Sequence, residues 1–119
     1  MKRVLFVCTG NTCRSPMAEA LFRELVKERQ DYEVQSAGLS ACTGDFASHY
    51  TEQLMRERGH DLSEHRSQRV TKELLESVTH VFAMGQHHVH AIETMFPEAA
   101  DKAYLVSEFS PDDSLRGQD

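Results

Sequence analysis

Val4-Leu5-Phe6-Val7-Cys8-Thr9-Gly10-Asn11-Thr12-Cys13-Arg14-Ser15-Pro16 decides the reading of this chain. Its opening apolar run predicts a buried strand, and the polar residues that follow predict a loop. Pro16 then opens an amphipathic helix, proline being suited to the first helical position. A strand, loop and helix in this order leave the backbone N–H groups of the loop and first helical turn converging on one spot, where the helix dipole also favours an anion. Gly10 and Asn11 are the loop residues best able to take left-handed backbone, the kind of turn that aims successive N–H groups inward. The expectation is a phosphate-binding loop at the carboxyl end of the first strand.

The residue types turn an anion site into a reaction. A thiol near a helix N-terminus and an arginine favours its thiolate, so Cys8 is the candidate nucleophile. Arg14 follows after five intervening residues. Its planar fork can hold two oxygens of a phosphoryl group and the charge that develops during transfer. Thr9, Gly10, Asn11, Thr12, Cys13 and Arg14 together form the expected phosphate cradle. The bland alternative, a buried strand-end thiol and a surface arginine, leaves the strand before, the helix after and the loop chemistry between them as coincidences.

Further along, strand and helix patterns alternate. Ala18, Leu21, Phe22, Leu25 and Val26 fall at helical spacing and predict a helix packing one face on a sheet. A short strand is expected over 33–37, a helix over 46–58 with Gly59 just past its end, and a polar, turn-like stretch over 60–70. A short helix at 71–77, a strand at 78–84, a helix at 86–96 stopped by Pro97 and a strand at 103–106 complete the pattern. The expected fold is α/β: a three-layer domain with a four-stranded parallel sheet and helices on both faces.

Composition agrees. A chain of 119 residues suits one domain, and a net charge of −6 argues against nucleic acid or an anionic membrane as partner. Three cysteines, two of them inside the motif, make no disulfide framework, and no apolar run is long enough to cross a bilayer. A cytoplasmic protein, monomer or weak dimer, is expected. His87, His88 and His90 share one predicted helix; His87 and His90 have metal-compatible spacing, but no further ligand completes a site, and surface histidines are expected. Met84 and Met95 read as core filler, and the stretch 66–69 as a solvated loop. No metal or organic cofactor is called for.

Cys8-x5-Arg14-Ser15 is the signature of cysteine-dependent phosphatases, and the longer run from Val7 through Pro16-Met17-Ala18-Glu19 resembles the low-molecular-weight protein tyrosine phosphatase family. The resemblance covers roughly the whole chain, with weaker matches at Ser36-Ala37-Gly38 and Ala83-Met84. It implies a phosphorylated protein substrate and a phosphocysteine intermediate on Cys8. It also implies that Asn11 and Ser15 brace the loop and steady the thiolate. Ser36 is placed to brace Asn11, or is an ordinary strand-end turn serine; the sequence leaves both open. The family uses the spacing of Cys8 and Cys13 for a reversible disulfide, so a redox switch is expected, the alternative being that Cys13 merely packs beneath the loop.

The chain departs from the family pattern after Val106. The family's general acid is an aspartate in an Asp-Pro pair, which Ser107 to Asp119 lacks, and the closing helix is missing too. Residues 1–119 therefore read as a single phosphatase-like domain lacking the acid loop and last helix. Either the acid lies beyond residue 119 or one of Asp112, Asp113 and Asp119 fills in, Asp119 lying nearest the expected place and the other two reading as a solvated acidic loop.

Substrate choice among relatives is tied to the residue before the second loop cysteine, a larger aliphatic in tyrosine-directed members and threonine in protein-arginine phosphatases. Thr12 gives this chain an arginine-phosphatase-like loop, since a small polar side chain leaves width for a guanidinium and can accept its hydrogen bond. Phosphotyrosine is the alternative. An arsenate reductase would need more relay thiols than Cys42 supplies. A phosphocarrier would not need the Arg14 clamp, and a non-catalytic phosphoprotein-binding module would show binding without turnover that depends on Cys8.

Overall fold

The computed structural model describes residues 1–106. Four parallel strands form one sheet in the order β2-β1-β3-β4: β1 (Lys2–Cys8), β2 (Tyr32–Gly38), β3 (His80–Ala83) and β4 (Ala103–Leu105). Between them run α1 (Arg14–Leu25), α2 (His49–Glu57), α3 (Lys72–Ser77) and α4 (Gln86–Met95), followed by a 3-10 turn at Pro97–Lys102. The fold is the expected three-layer α/β arrangement. The chain leaves β1 toward β2 on one side and adds β3 and β4 on the other. The crevice beyond β1 is thus the switch point where such sheets bind ligands.

β1 is buried on both faces from Val4 to Cys8, as a central parallel strand must be. Leu5 and Val7 join Val81, Ala83, Leu75 and Ile92 in the main core, beneath α3 and α4. On the opposite face Phe6 meets Phe22 of α1 edge-on at 5.7 Å and stacks on Phe82 at 5.8 Å. A smaller core joins α1 to α2 through Met17, Ala20, Ala47, Met55 and Leu62.

Several expectations change. α1 begins at Arg14, two residues before Pro16, so the proline occupies the third helical position, still among the first-turn residues that have no intrahelical N–H bond to lose. Leu21 and Leu25 are 46 % and 80 % exposed: Phe22 covers the sheet while Met17 and Ala20 face α2, which leaves those leucines on the outer side. α2 starts at His49 rather than Phe46, because Ser48 caps it by accepting the Thr51 N–H at 3.2 Å. Phe46 instead lies outside the helix under the Arg66 guanidinium, 3.9 Å from its ring centre. Gly59 (φ +85°) does terminate the α2 segment in left-handed backbone. Met95 is exposed, not core.

Candidate active site

β1 ends at Cys8, and the loop 9–13 runs directly into α1. Cys8 is buried, and the backbone N–H of Asn11 points at its sulfur from 3.2 Å, closing the loop around the thiol. Asn11 has φ +57°, the left-handed turn expected of the loop, whereas Gly10 has no positive φ. Asparagine tolerates this conformation better than other side chains do. The glycine that the site requires lies elsewhere: a Cβ at Gly38, the end of β2, would stand 2.6 Å from the Thr9 carbonyl oxygen and 2.9 Å from the Asn11 nitrogen. The loop rests on backbone at and just past the end of β2, with the Leu39 N–H donating to Cys8 O and the Ser40 N–H to Thr9 O, each at 2.9 Å.

A buried polar chain fixes the orientation of each group around the sulfur. The Gln68 N–H donates to Asn11 Oδ1 at 2.9 Å, so the amide nitrogen must face the other way. From there Nδ2 donates to both Ser15 Oγ and Ser36 Oγ, each at 2.9 Å. The Ser36 hydroxyl donates to Glu19 Oε1 at 2.5 Å, and Glu19 is in turn paired with Arg23. The Ser15 hydroxyl, its oxygen accepting from Asn11, also lies 2.9 Å from Cys8 Sγ, with its proton available to a thiolate there. The Asn11 N–H and the Ser15 hydroxyl thus both stand against the Cys8 sulfur. His65 donates Nε2–H to the Asn11 carbonyl at 2.7 Å, and Gln68 Nε2 reaches Ser36 O at 2.9 Å.

The stretch 66–69, read as a solvated loop, is therefore solvated only at Arg66 and Arg69. Gln68 and His65 form the floor of the loop through Asn11, while Ser67, 2 % exposed, bonds to the turn at 42–45. The signal that could have found them is weak. Polar residues with no hydrophobic period read as surface unless a buried polar partner, here Asn11, is already known.

Arg14, the first residue of α1, is half-buried and donates Nη2–H to the Met84 carbonyl at 2.5 Å, which ties it to the turn between β3 and α4. Thr12 is half-buried; its carbonyl accepts the Ser48 N–H at 2.8 Å, and its hydroxyl lies 3.6 Å from where a Gly10 Cβ would sit. Cys13 is exposed, with its sulfur 3.5 Å from Ser48 Oγ. The Ser48 hydroxyl holds the Cys13 thiol below the ordinary thiol range, with partial burial acting the other way. Cys8, Cys13 and Cys42 are all unpaired thiols.

Thus Cys8, Thr9, Gly10, Asn11, Thr12, Cys13, Arg14, Ser15 and Ser36 converge on one end of the sheet. Asp119, with Asp112 and Asp113, lies outside the described residues. His88, expected on the surface, is 2 % exposed, with Nε2 2.9 Å from Thr9 Oγ1. Among the described residues no group of three or more His, Cys, Asp or Glu is placed to hold a metal ion, and no helix is long and apolar enough to cross a membrane.

Comparison with known proteins agrees with this geometry. Residues 3–118 match the family model described as low molecular weight phosphotyrosine protein phosphatase. The chain is 45 % identical over 107 residues to a protein-arginine-phosphatase of Geobacillus stearothermophilus, covering 90 % of this chain and 70 % of that protein. It is 35 % identical to the probable low molecular weight protein-tyrosine-phosphatase EpsP of Ralstonia solanacearum, covering 99 % and 81 %. Among solved structures, the YwlE arginine phosphatase from Geobacillus stearothermophilus superposes with a TM-score of 0.86 at 40 % identity, over 99 % of this chain and 79 % of that one. A YwlE arginine phosphatase mutant with a phosphorylated active site serine superposes equally well, with a TM-score of 0.86 at 34 % identity over 98 % and 80 %. With the family model matched over nearly the whole chain, the chain belongs to the low molecular weight phosphotyrosine protein phosphatase family, cysteine-dependent hydrolases of phosphorylated proteins.

Proposed function

We propose that this phosphatase acts on phosphoarginine in proteins, with Cys8 as nucleophile and Arg14 as clamp. The observation that carries the choice is Thr12: a small hydroxyl-bearing side chain lies against Gly10 on the loop, where it leaves width for a branched guanidinium and can accept its N–H. The 45 % identical relative is named a protein-arginine-phosphatase, which supports the same reading. Relatives named protein-tyrosine-phosphatases make phosphotyrosine the second reading.

In the proposed reaction the Cys8 thiolate attacks phosphorus opposite the leaving atom, breaking the bond from phosphorus to nitrogen and forming phosphocysteine. The loop N–H groups and Arg14 hold the three equatorial oxygens through the charge that develops. Departing guanidine takes a proton from a general acid, proposed to come from the segment after β4, with Asp119 the candidate there. Water then cleaves the bond from sulfur to phosphorus and frees phosphate and Cys8. Residues 1–119 are proposed to act as one phosphatase domain on phosphorylated protein, as monomer or weak dimer, without nucleic acid or membrane. A reducing, cytoplasmic setting is supported by the three unpaired thiols. There a peroxide would oxidise Cys8 to a sulfenic acid that Cys13 captures as a disulfide with loss of water, reversible by a cellular thiol. Phosphate release from a phosphoarginine protein, abolished by Cys8→Ser, tests the function; no release above that blank would overturn it.

A further inference from the structure

α4 opens after Gly85, and its third residue, His88, is buried while Gln86, His87 and His90 are exposed. Ile92, four residues further on, is fully buried, so His88 lies on the inward stripe of the helix. An imidazole at such a place costs free energy relative to an aliphatic side chain unless its polar atoms are matched. Its Nε2 is matched by Thr9 Oγ1 at 2.9 Å, across 79 residues of sequence. Thr9 is the residue that follows the nucleophile.

The same segment grips the loop a second time. Met84, just before α4, accepts the Arg14 guanidinium at 2.5 Å and donates its N–H to Val7 O at 2.9 Å. Residues 84–88 therefore hold the phosphate-binding loop at its first residue and at its arginine. The Asn11 chain braces the middle of the loop and the sulfur through Ser15, Ser36 and Gln68. The side chain of Thr9 is secured from α4 instead.

We propose that His88 is a positioning residue for phosphate binding: through Thr9 Oγ1 it fixes the first turn of the loop after Cys8, so that the loop N–H groups face the phosphoryl oxygens. This rests on the phosphatase reading and is independent of the choice between arginine and tyrosine. His88 acts through Thr9 and does not touch the phosphoryl group. Its loss weakens anion binding more than it lowers the melting temperature.

The test compares His88→Leu, His88→Gln, His88→Asn and Thr9→Val for hydrolysis of a small aryl phosphate, competitive inhibition by inorganic phosphate, calorimetric phosphate binding and thermal melting. His88→Leu is expected to raise KM and the phosphate inhibition constant about five- to tenfold, the loss of one buried hydrogen bond. A glutamine amide reaches the position of the imidazole Nε2 and restores binding to within about twofold, whereas an asparagine amide stops at the position of Nδ1 and does not. Thr9→Val reproduces His88→Leu, and the double variant is no worse than either single one. Phosphate binding by His88→Leu within about twofold of the unaltered protein, or additive losses in the double variant, would overturn the proposal. If His88→Leu does not fold, unaltered phosphate binding by Thr9→Val overturns it alone. Absence of hydrolysis by the unaltered protein indicts the phosphatase reading, and calorimetric phosphate binding then decides the role of His88 by the same criteria.

Discussion

The Ser15 hydroxyl stands 2.9 Å from the Cys8 sulfur, and Asn11 Nδ2 donates to its oxygen from the same distance, which leaves the hydroxyl proton available to a Cys8 thiolate. A donor kept beside a sulfur by a buried amide is a means of holding charge on it. Ser15→Ala is expected to lower kcat by about ten- to a hundredfold, the worth of one hydrogen bond to a charged group, with little change in KM. Steady-state kinetics on an aryl phosphate checks this; a variant that keeps the native kcat would show that the Ser15 contact does not serve the thiolate.

Gly38→Ala places a methyl group 2.6 Å from the Thr9 carbonyl, and backbone on both sides offers no flexible side chain to give way. The loop must move off β2. A fall in kcat/KM of at least about a hundredfold is expected, with a loss of about 1–3 kcal/mol in stability measured by denaturant unfolding. Near-native activity would mean that the loop does not depend on its seat against β2.

Cys13 should react with iodoacetamide at lower pH than an ordinary thiol, because the Ser48 hydroxyl stabilises its thiolate. The sign follows from the direction of the shift. A depressed pKa gives thiolate earlier as pH rises, and Ser48→Ala removes its largest cause, so the alkylation profile moves to higher pH. The same change removes the cap of α2 and costs about 1 kcal/mol. Peptide mapping after short labelling pulses reads the profile; an unmoved midpoint would contradict the assignment.

Glu19→Gln tests the far end of the polar chain. Its carboxylate accepts a hydrogen bond from the Ser36 hydroxyl at 2.5 Å, which leaves the Ser36 Oγ lone pairs to accept from Asn11. An amide can present its N–H₂ to Ser36 and reverse that order. A roughly three- to tenfold fall in kcat is expected, with the fold retained. Unchanged kcat in a folded variant would place the orientation of Asn11 in the hands of Gln68 alone.

The fold and the run that carries Cys8 and Arg14 were legible because their signal is contiguous: an apolar strand, five loop residues and a helix start within one short run. The braces were not. Gln68 and His65 reach Asn11 across 57 and 54 residues, from a polar stretch with no hydrophobic period, so only a buried partner reveals that they point inward. His88 was hidden by its neighbours His87 and His90, although its spacing of four from Ile92 marked the buried face. Leu21 and Leu25 failed in the opposite sense. Helical spacing showed that an apolar stripe exists on α1, but Phe22, Met17 and Ala20 took the faces against the sheet and α2.

The choice of substrate rests on Thr12. The direct measurement is phosphate release from matched peptides that differ only in carrying phosphoarginine or phosphotyrosine, with Cys8→Ser as blank and Thr12→Ile as variant. The account predicts a preference for phosphoarginine that falls by about tenfold or more when isoleucine narrows the loop. A preference for phosphotyrosine in the unaltered protein, or a phosphoarginine preference that Thr12→Ile leaves intact, would contradict it.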